Sequence, residues 1–195
     1  YDQAQLGFGT SLAGMDEVGR GPLVGDVVTA CVILPAEPVF PWIDDSKKLS
    51  AARREEVYAQ IMEHALYVGV GLASAWEIDE MNILNATRLA MERAAQDAPA
   101  TLCLVDAVRG LNLPFPTISI IHGDATSYHV AAASIVAKVT RDRQMAEYAK
   151  QYPQYGFDHN MGYGTAEHID ALRRFGPTPE HRRSFIRKFL EEGKE

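Results

Sequence analysis

Asp16-Glu17, Asp106 and Asp124 are acids in unusual places: each ends or closely follows an apolar, strand-like run, respectively Leu12 to Met15, Thr101 to Val105 and Thr117 to Ile121. A solvated acid normally has polar neighbours, whereas the C-terminal ends of buried strands are where ligand sites form in α/β folds. Carboxylates gathered in one place repel each other unless cations neutralise them. An all-oxygen donor set favours Mg²⁺ or Mn²⁺ over zinc, which recruits His or Cys. Two such ions about 4 Å apart can activate a water and stabilise the leaving oxygen in phosphodiester hydrolysis.

Each acid also has a plainer reading. Asp124 precedes a helix, so N-capping rivals metal binding there and can coexist with it. Consecutive strand residues point to opposite faces, so Asp16 and Glu17 should not both face one site unless the strand ends or the longer Glu17 side chain reaches round its edge. Asp16 is therefore the expected central ligand. Among basic residues, Arg20 beside the acids and Lys47 in a turn-like segment are expected to grip phosphates, with Lys48, Lys138, Arg141 and Arg143 as further candidates. Arg182 and Arg183 read as anchors for the C-terminal helix. None of the six histidines has ligand spacing; His64, His159 and His181 read as structural, and His168 as a group behind the ligands or on the phosphate side.

The elements that must position these residues follow from periodicity. Strands are expected at 12–18, 27–34, 66–73, 101–105 and 117–121, the first two antiparallel through a Gly-rich connection. Ser50 caps a helix to about residue 65; further helices are expected at 75–96, 125–150, 165–175 and 180–192. The order β-β-α-β-α-β-β-α followed by helices indicates an α/β domain. The 195 residues suit one core, read as a single domain over 1–195 with a helical C-terminal appendage from about 153.

Composition limits the function. The net charge of −7 argues against bulk attraction to nucleic acid, so a polyanion would be held by local Lys and Arg clusters or by bound cations. No apolar stretch is long enough for a membrane span, and the polar residues 1–11 do not read as a signal peptide. Cys31 and Cys103 lie in apolar runs and read as buried reduced thiols of a cytoplasmic protein.

The motifs carry a resemblance. Asp16-Glu17-Val18-Gly19-Arg20-Gly21-Pro22 resembles the signature of bacterial ribonuclease HII, the type 2 ribonuclease H. So do Asp45-Ser46-Lys47-Lys48-Leu49, Asp79-Glu80-Met81-Asn82-Ile83-Leu84, the run from Ala131 to Asp142, Gly162-Tyr163-Gly164-Thr165 with His168, and His181-Arg182-Arg183-Ser184-Phe185. The match runs from about Ala13 to Phe185 in the family's order. It implies a ribonuclease H-like mixed β-sheet flanked by helices, and cleavage 5′ of a ribonucleotide in an RNA–DNA duplex, including one embedded in DNA. Carried over by position, Asp16, Glu17, Asp106 and Asp124 hold the metals. Gly19-Arg20-Gly21 reads the ribose 2′-hydroxyl through its backbone, and Tyr163 stacks on the deoxyribose 3′ of it. RNA–DNA hybrid and ribonucleotide-containing duplex are the implied partners of a monomeric, non-membrane enzyme.

Three positions depart from the family pattern: Ala107 where Gly is common, His122 where Lys is common, and His129 where a small residue is common. None removes a carboxylate. Ribonuclease HIII is disfavoured because only 15 residues precede Asp16. The intact acids argue against a silent binding module on the same fold, and an aspartyl-phosphate phosphotransferase would need an Asp-x-Asp arrangement that Asp16 lacks.

Overall fold

The computed structural model describes residues 1–5, 10–35, 43 and 49–191. Five strands form one mixed sheet: β1 (Leu12–Val18), β2 (Val27–Ile33), β3 (Tyr67–Ala73), β4 (Leu102–Asp106) and β5 (Thr117–Ile120), in the order β3-β2-β1-β4-β5. β1 pairs antiparallel with β2 and parallel with β4; β2 and β3 are antiparallel, β4 and β5 parallel.

The described helices are α1 (Asp2–Gln5), α2 (Ala51–His64), α3 (Ala75–Met81), α4 (Ile83–Ala94), α5 (Gly123–Thr126), α6 (Tyr128–Gln151), α7 (Phe157–Asn160), α8 (Ala166–Phe175) and α9 (Arg183–Glu191). Two helices expected to be continuous are broken. Asn82, at φ 70°, ends α3, and its side chain accepts from the Leu84 and Asn85 amides that open α4. Ser127 accepts from Val130 N–H and caps α6, cutting off the short α5. Residues 180–182 likewise lie outside α9, which begins at Arg183.

Side-chain alternation assigns the sheet's two faces. Val28, Ala30 and Val32 of β2 pack with Ala132, Ala133 and Val136 of α6 and with Val57 and Ile61 of α2. Ala13 and Met15 of β1 and Cys31 and Ile33 of β2 meet Met91 and Ala94 of α4 on the other face. Both cysteines are buried free thiols, as expected. A Cβ on Gly14 would lie 2.2 Å from the His129 carbonyl carbon, so only glycine lets α6 press directly onto β1.

The C-terminal helices do more than append. Val24 packs with Met145, Tyr155, Phe157 and Ala171, and Leu23 with Leu172 and Ile186. The segment between β1 and β2 is thus held between α6 and the C-terminal helices. No helix among the described residues is long and apolar enough to cross a membrane.

Candidate active site

The β1–β4 ladder ends at Met15–Val105, one residue before the acids on both strands, so Asp16 and Asp106 emerge side by side from adjacent parallel strands. Asp16 falls on the α6 face. Glu17 points away from it by alternation, yet it lies beyond the last β1–β4 pair and lines the same cleft as Asp16. This cleft of about 430 Å³ is lined by Asp16, Glu17, Val18, Asp106, Ser134, Lys138 and Tyr163. The geometric objection to Glu17 is thereby met.

The electrostatics are those of an under-compensated acid cluster. Burial, then the charges of Glu17 and Asp106, push the Asp16 carboxyl up to about 8, although the Glu17 amide donates to it at 2.8 Å. Burial also raises Glu17, against the pull of Arg20, whose Nη1 lies 3.3 Å from Glu17 Oε1. Glu17 Oε2 is buried without a hydrogen-bond partner among the described residues. Asp106 Oδ1 accepts from Gly123 N–H at 2.9 Å, tying the end of β4 to the start of α5.

Asp124, the next residue, is buried in the first turn of α5 and is not among the residues lining the cleft. It is not the cap of either helix: His122 occupies that position for α5 without a side-chain bond, and Ser127 caps α6. Among the described residues, no three acidic, histidine or cysteine side chains close around one point as a metal would require. The donor chemistry nonetheless fits a hard divalent cation: buried carboxylates repelling one another, with one oxygen unsatisfied.

The substrate-side residues divide. Tyr163 is half-exposed at the cleft, and a Cβ on Gly21 would stand 3.4 Å from its ring. Gly19, at φ 88°, turns the chain out of β1. Lys47 and Lys48 lie outside the described residues. Lys138 lines the cleft but is bonded to Asp142, which also pairs with Arg54 at 3.3 Å. Arg141 does not face a phosphate: it is buried and donates to the carbonyls of Asp26 and Val24, at 2.6 and 3.1 Å. Arg143 is exposed and paired with Glu55 at 2.7 Å.

His168 is not on the phosphate side either. It is fully buried behind the Tyr163 loop, Nδ1 at 2.8 Å from Tyr163 O and Nε2 at 3.0 Å from His181 Nε2. Thr178 N–H donates to His181 Nδ1 at 3.0 Å, so that nitrogen bears the lone pair. The His181 proton therefore sits on Nε2 and is donated to His168 Nε2, leaving His168 Nδ1–H for the Tyr163 carbonyl. Burial pushes His168 down, and His181 to about 4. Ser134 faces Asp16 from α6; a lone helical serine carries no signal of such a role in the sequence.

Of the departures from the family pattern, the backbone accounts for the glycine common at position 107 but not for the residues found at 107 and 122. Ala107, at φ 48°, and His122, at φ 56°, occupy the left-handed region where glycine is at ease. His129 is matched by Asp2, whose carboxylate oxygen lies 2.9 Å from Nδ1 and also accepts from the His129 amide.

A mixed sheet with acids at the ends of adjacent parallel strands, roofed by a long helix, defines an α/β nuclease of the ribonuclease H type. The family model for ribonuclease HII matches residues 13–188. Ribonuclease HII of Geobacillus kaustophilus is 53% identical over 184 residues, 92% of this chain and 70% of that one. The ribonuclease H2 structure from Pyrococcus horikoshii superposes with a TM-score of 0.78 at 27% identity, over 95% of this chain and 100% of that one. A ribonuclease HIII in complex with Mn²⁺ shares the fold, with a TM-score of 0.72 at 19% identity over 98% of this chain and 72% of that one. The chain belongs to the ribonuclease HII family, and is a type 2 ribonuclease H.

Proposed function

We propose that this nuclease hydrolyses the RNA strand of RNA–DNA hybrids and cuts 5′ of single ribonucleotides embedded in duplex DNA, leaving 3′-hydroxyl and 5′-phosphate ends. The observation that carries the reading is the burial of Asp16 and Glu17 beside Asp106, with Glu17 Oε2 unsatisfied: an arrangement that calls for cations. Asp16, Glu17, Asp106 and Asp124 would hold two divalent ions, Mg²⁺ or Mn²⁺, which when bound supply an activated water and neutralise charge on the leaving oxygen. Asp16 and Asp106 set the axis of the site from adjacent strand ends. Glu17 would add a second carboxylate from β1, and Asp124 would join through the α5 turn held by Asp106.

The other residues position and select. Gly19, Arg20 and Gly21 read the ribose 2′-hydroxyl through their backbone, the group that distinguishes RNA from DNA. Tyr163 offers its exposed ring to the deoxyribose on the 3′ side, and Lys47 holds a phosphate. The enzyme acts as a cytoplasmic, single-domain monomer in the repair of ribonucleotides in DNA.

The test is cleavage of labelled duplexes carrying no, one or all ribonucleotides in one strand, with Mg²⁺, Mn²⁺ or chelator. Metal-dependent cutting at the 5′ side of the single ribonucleotide is expected, and none of all-DNA duplex. Cutting that ignores the ribonucleotide's position, or persists in chelator, would refute the reading.

A further inference from the structure

The segment from Gly19 to Asp26 hangs from two buried guanidinium groups. Arg182, fully buried, donates to four of its carbonyl oxygens: Gly19 at 2.6 Å, Pro22 at 2.8 Å, Gly25 at 2.9 Å and Arg20 at 3.1 Å. Arg141 takes two more, those of Val24 and Asp26. None of these hydrogen bonds goes to a carboxylate. A guanidinium presents its N–H groups as a rigid planar fork, which makes it suited to fixing several oxygens at once.

The consequence lies on the other side of each peptide. In a planar trans peptide, a carbonyl and the N–H of the following residue point in opposite directions. With the Gly19 and Arg20 carbonyls drawn inward onto Arg182, the amides of Arg20 and Gly21 are turned outward. Neither amide has a hydrogen-bond partner among the described residues, whereas Leu23 and Gly25 spend theirs on Gly162 O and Glu180 O, both at 2.8 Å. Beside this outward pair stand the Tyr163 ring, against Gly21, and Glu17, at the acid cleft.

We propose that Arg182 is the positioning residue of this segment: by drawing the Gly19 and Arg20 carbonyls inward, it presents the Arg20 and Gly21 amides as the donor pair for a ribose 2′-oxygen, and so sets the preference for ribose over deoxyribose. Arg182 touches no substrate atom. The proposal rests on the reading of Gly19-Arg20-Gly21 as the ribose reader, and adds to it what holds the reader in shape. Lysine at the same position keeps a charge but has no planar fork, so it cannot hold the four carbonyls in this arrangement.

The test pairs one protein change with one substrate change. kcat/KM is measured for the wild type and for Arg182→Lys, on duplexes that carry at one position either a ribonucleotide or its 2′-fluoro-2′-deoxy analogue, a poor acceptor. The wild type should prefer the ribonucleotide by at least about tenfold, the worth of one to two such hydrogen bonds. Arg182→Lys should lose mostly on the ribonucleotide, shrinking the preference towards unity. Equal loss on both sugars would overturn the proposal and leave Arg182 a folding residue, while a wild type without preference would overturn the ribose-reader reading itself. Should Arg182→Lys not fold, amide spectra of the ¹⁵N-labelled wild type in chelator decide. The Arg20 and Gly21 resonances should move with the ribonucleotide duplex and much less with the fluoro duplex, while a protected Arg182 Nε–H reports the intact fork. Bound duplex that leaves both amides unmoved would overturn the proposal.

Discussion

At the scale of single residues, Asp16 carries the clearest prediction. Without a cation its carboxyl is raised to about 8, first by burial and then by Glu17 and Asp106, so the charged form is costly where it stands. Asn is nearly isosteric and keeps an oxygen to accept the Glu17 amide, yet cannot carry the charge. Asp16→Asn should therefore reduce cleavage to background while the urea midpoint stays at or above that of the wild type. A midpoint lowered by as much as a core truncation, which costs about 2–5 kcal/mol, would mean that Asp16 is structural. The acids were legible in the sequence because a carboxylate that ends an apolar run lacks the polar neighbours of a solvated one, and so points to a ligand. Arg182 was legible only as an anchor, since its partners are backbone carbonyls, which leave no mark in a sequence. The role of Arg141 is hidden for the same reason: a basic residue near a phosphate-handling motif reads as a phosphate-binding cation until its burial is known.

At the scale of elements, the strands and their succession along the chain followed from β-branched runs and apolar spacing, while the sheet order and the helix breaks at Asn82 and Ser127 did not. Both breaks are caps inserted into a continuous apolar rhythm, and the rhythm hid them. The junction between the C-terminal helices is likewise built by polar groups. Asp79 of α3 accepts from the amides of Arg183 and Ser184 at 2.7 and 2.9 Å, capping α9 from another element. The His168–His181 pair ties the Tyr163 loop to the segment before α9, and only with both rings neutral. Both pKa values are depressed by burial, so the pair's contribution is present above the unfolded histidine value of about 6.5 and is lost as pH falls through about 4 for His181. Asp16, Glu17 and Asp26 are raised and act oppositely over part of that range, so absolute stability would blur the effect. The difference in unfolding free energy between wild type and His181→Gln removes them. It should be largest at neutral pH and shrink from pH 6.5 towards 4, whereas a difference flat across that range would refute the neutral pair.

At the scale of the whole molecule, a chain of net charge −7 must receive a polyanion, so its cations have to be placed rather than plentiful. The Gly19-Arg20-Gly21 turn opens on one side to the acid cleft. On the other, a groove of about 540 Å³ is lined by Gly21, Leu23, Ser184, Phe185, Arg187, Lys188 and Glu191. Arg187 is partnered within it by Glu191 at 2.7 Å, while Lys188 lies over the Phe189 ring with Nζ 4.7 Å from its centroid. A duplex seated in the acid cleft, with its ribose at Gly21, would continue along this face of α9 and bring a phosphate to Lys188. Such a contact releases counterions on binding, about 0.9 per phosphate neutralised, and contributes affinity without touching the chemistry. Lys188→Gln should therefore raise KM several-fold with kcat unchanged, and lower the slope of log KM against log salt by about one. The loss should be equal for duplexes with one or many ribonucleotides, because a phosphate contact carries no information about the sugar. A fall in kcat would place Lys188 closer to the reaction than the groove does. An unchanged salt slope would mean that the duplex leaves the cleft by another path, and that the groove beside Gly21 is not part of its track.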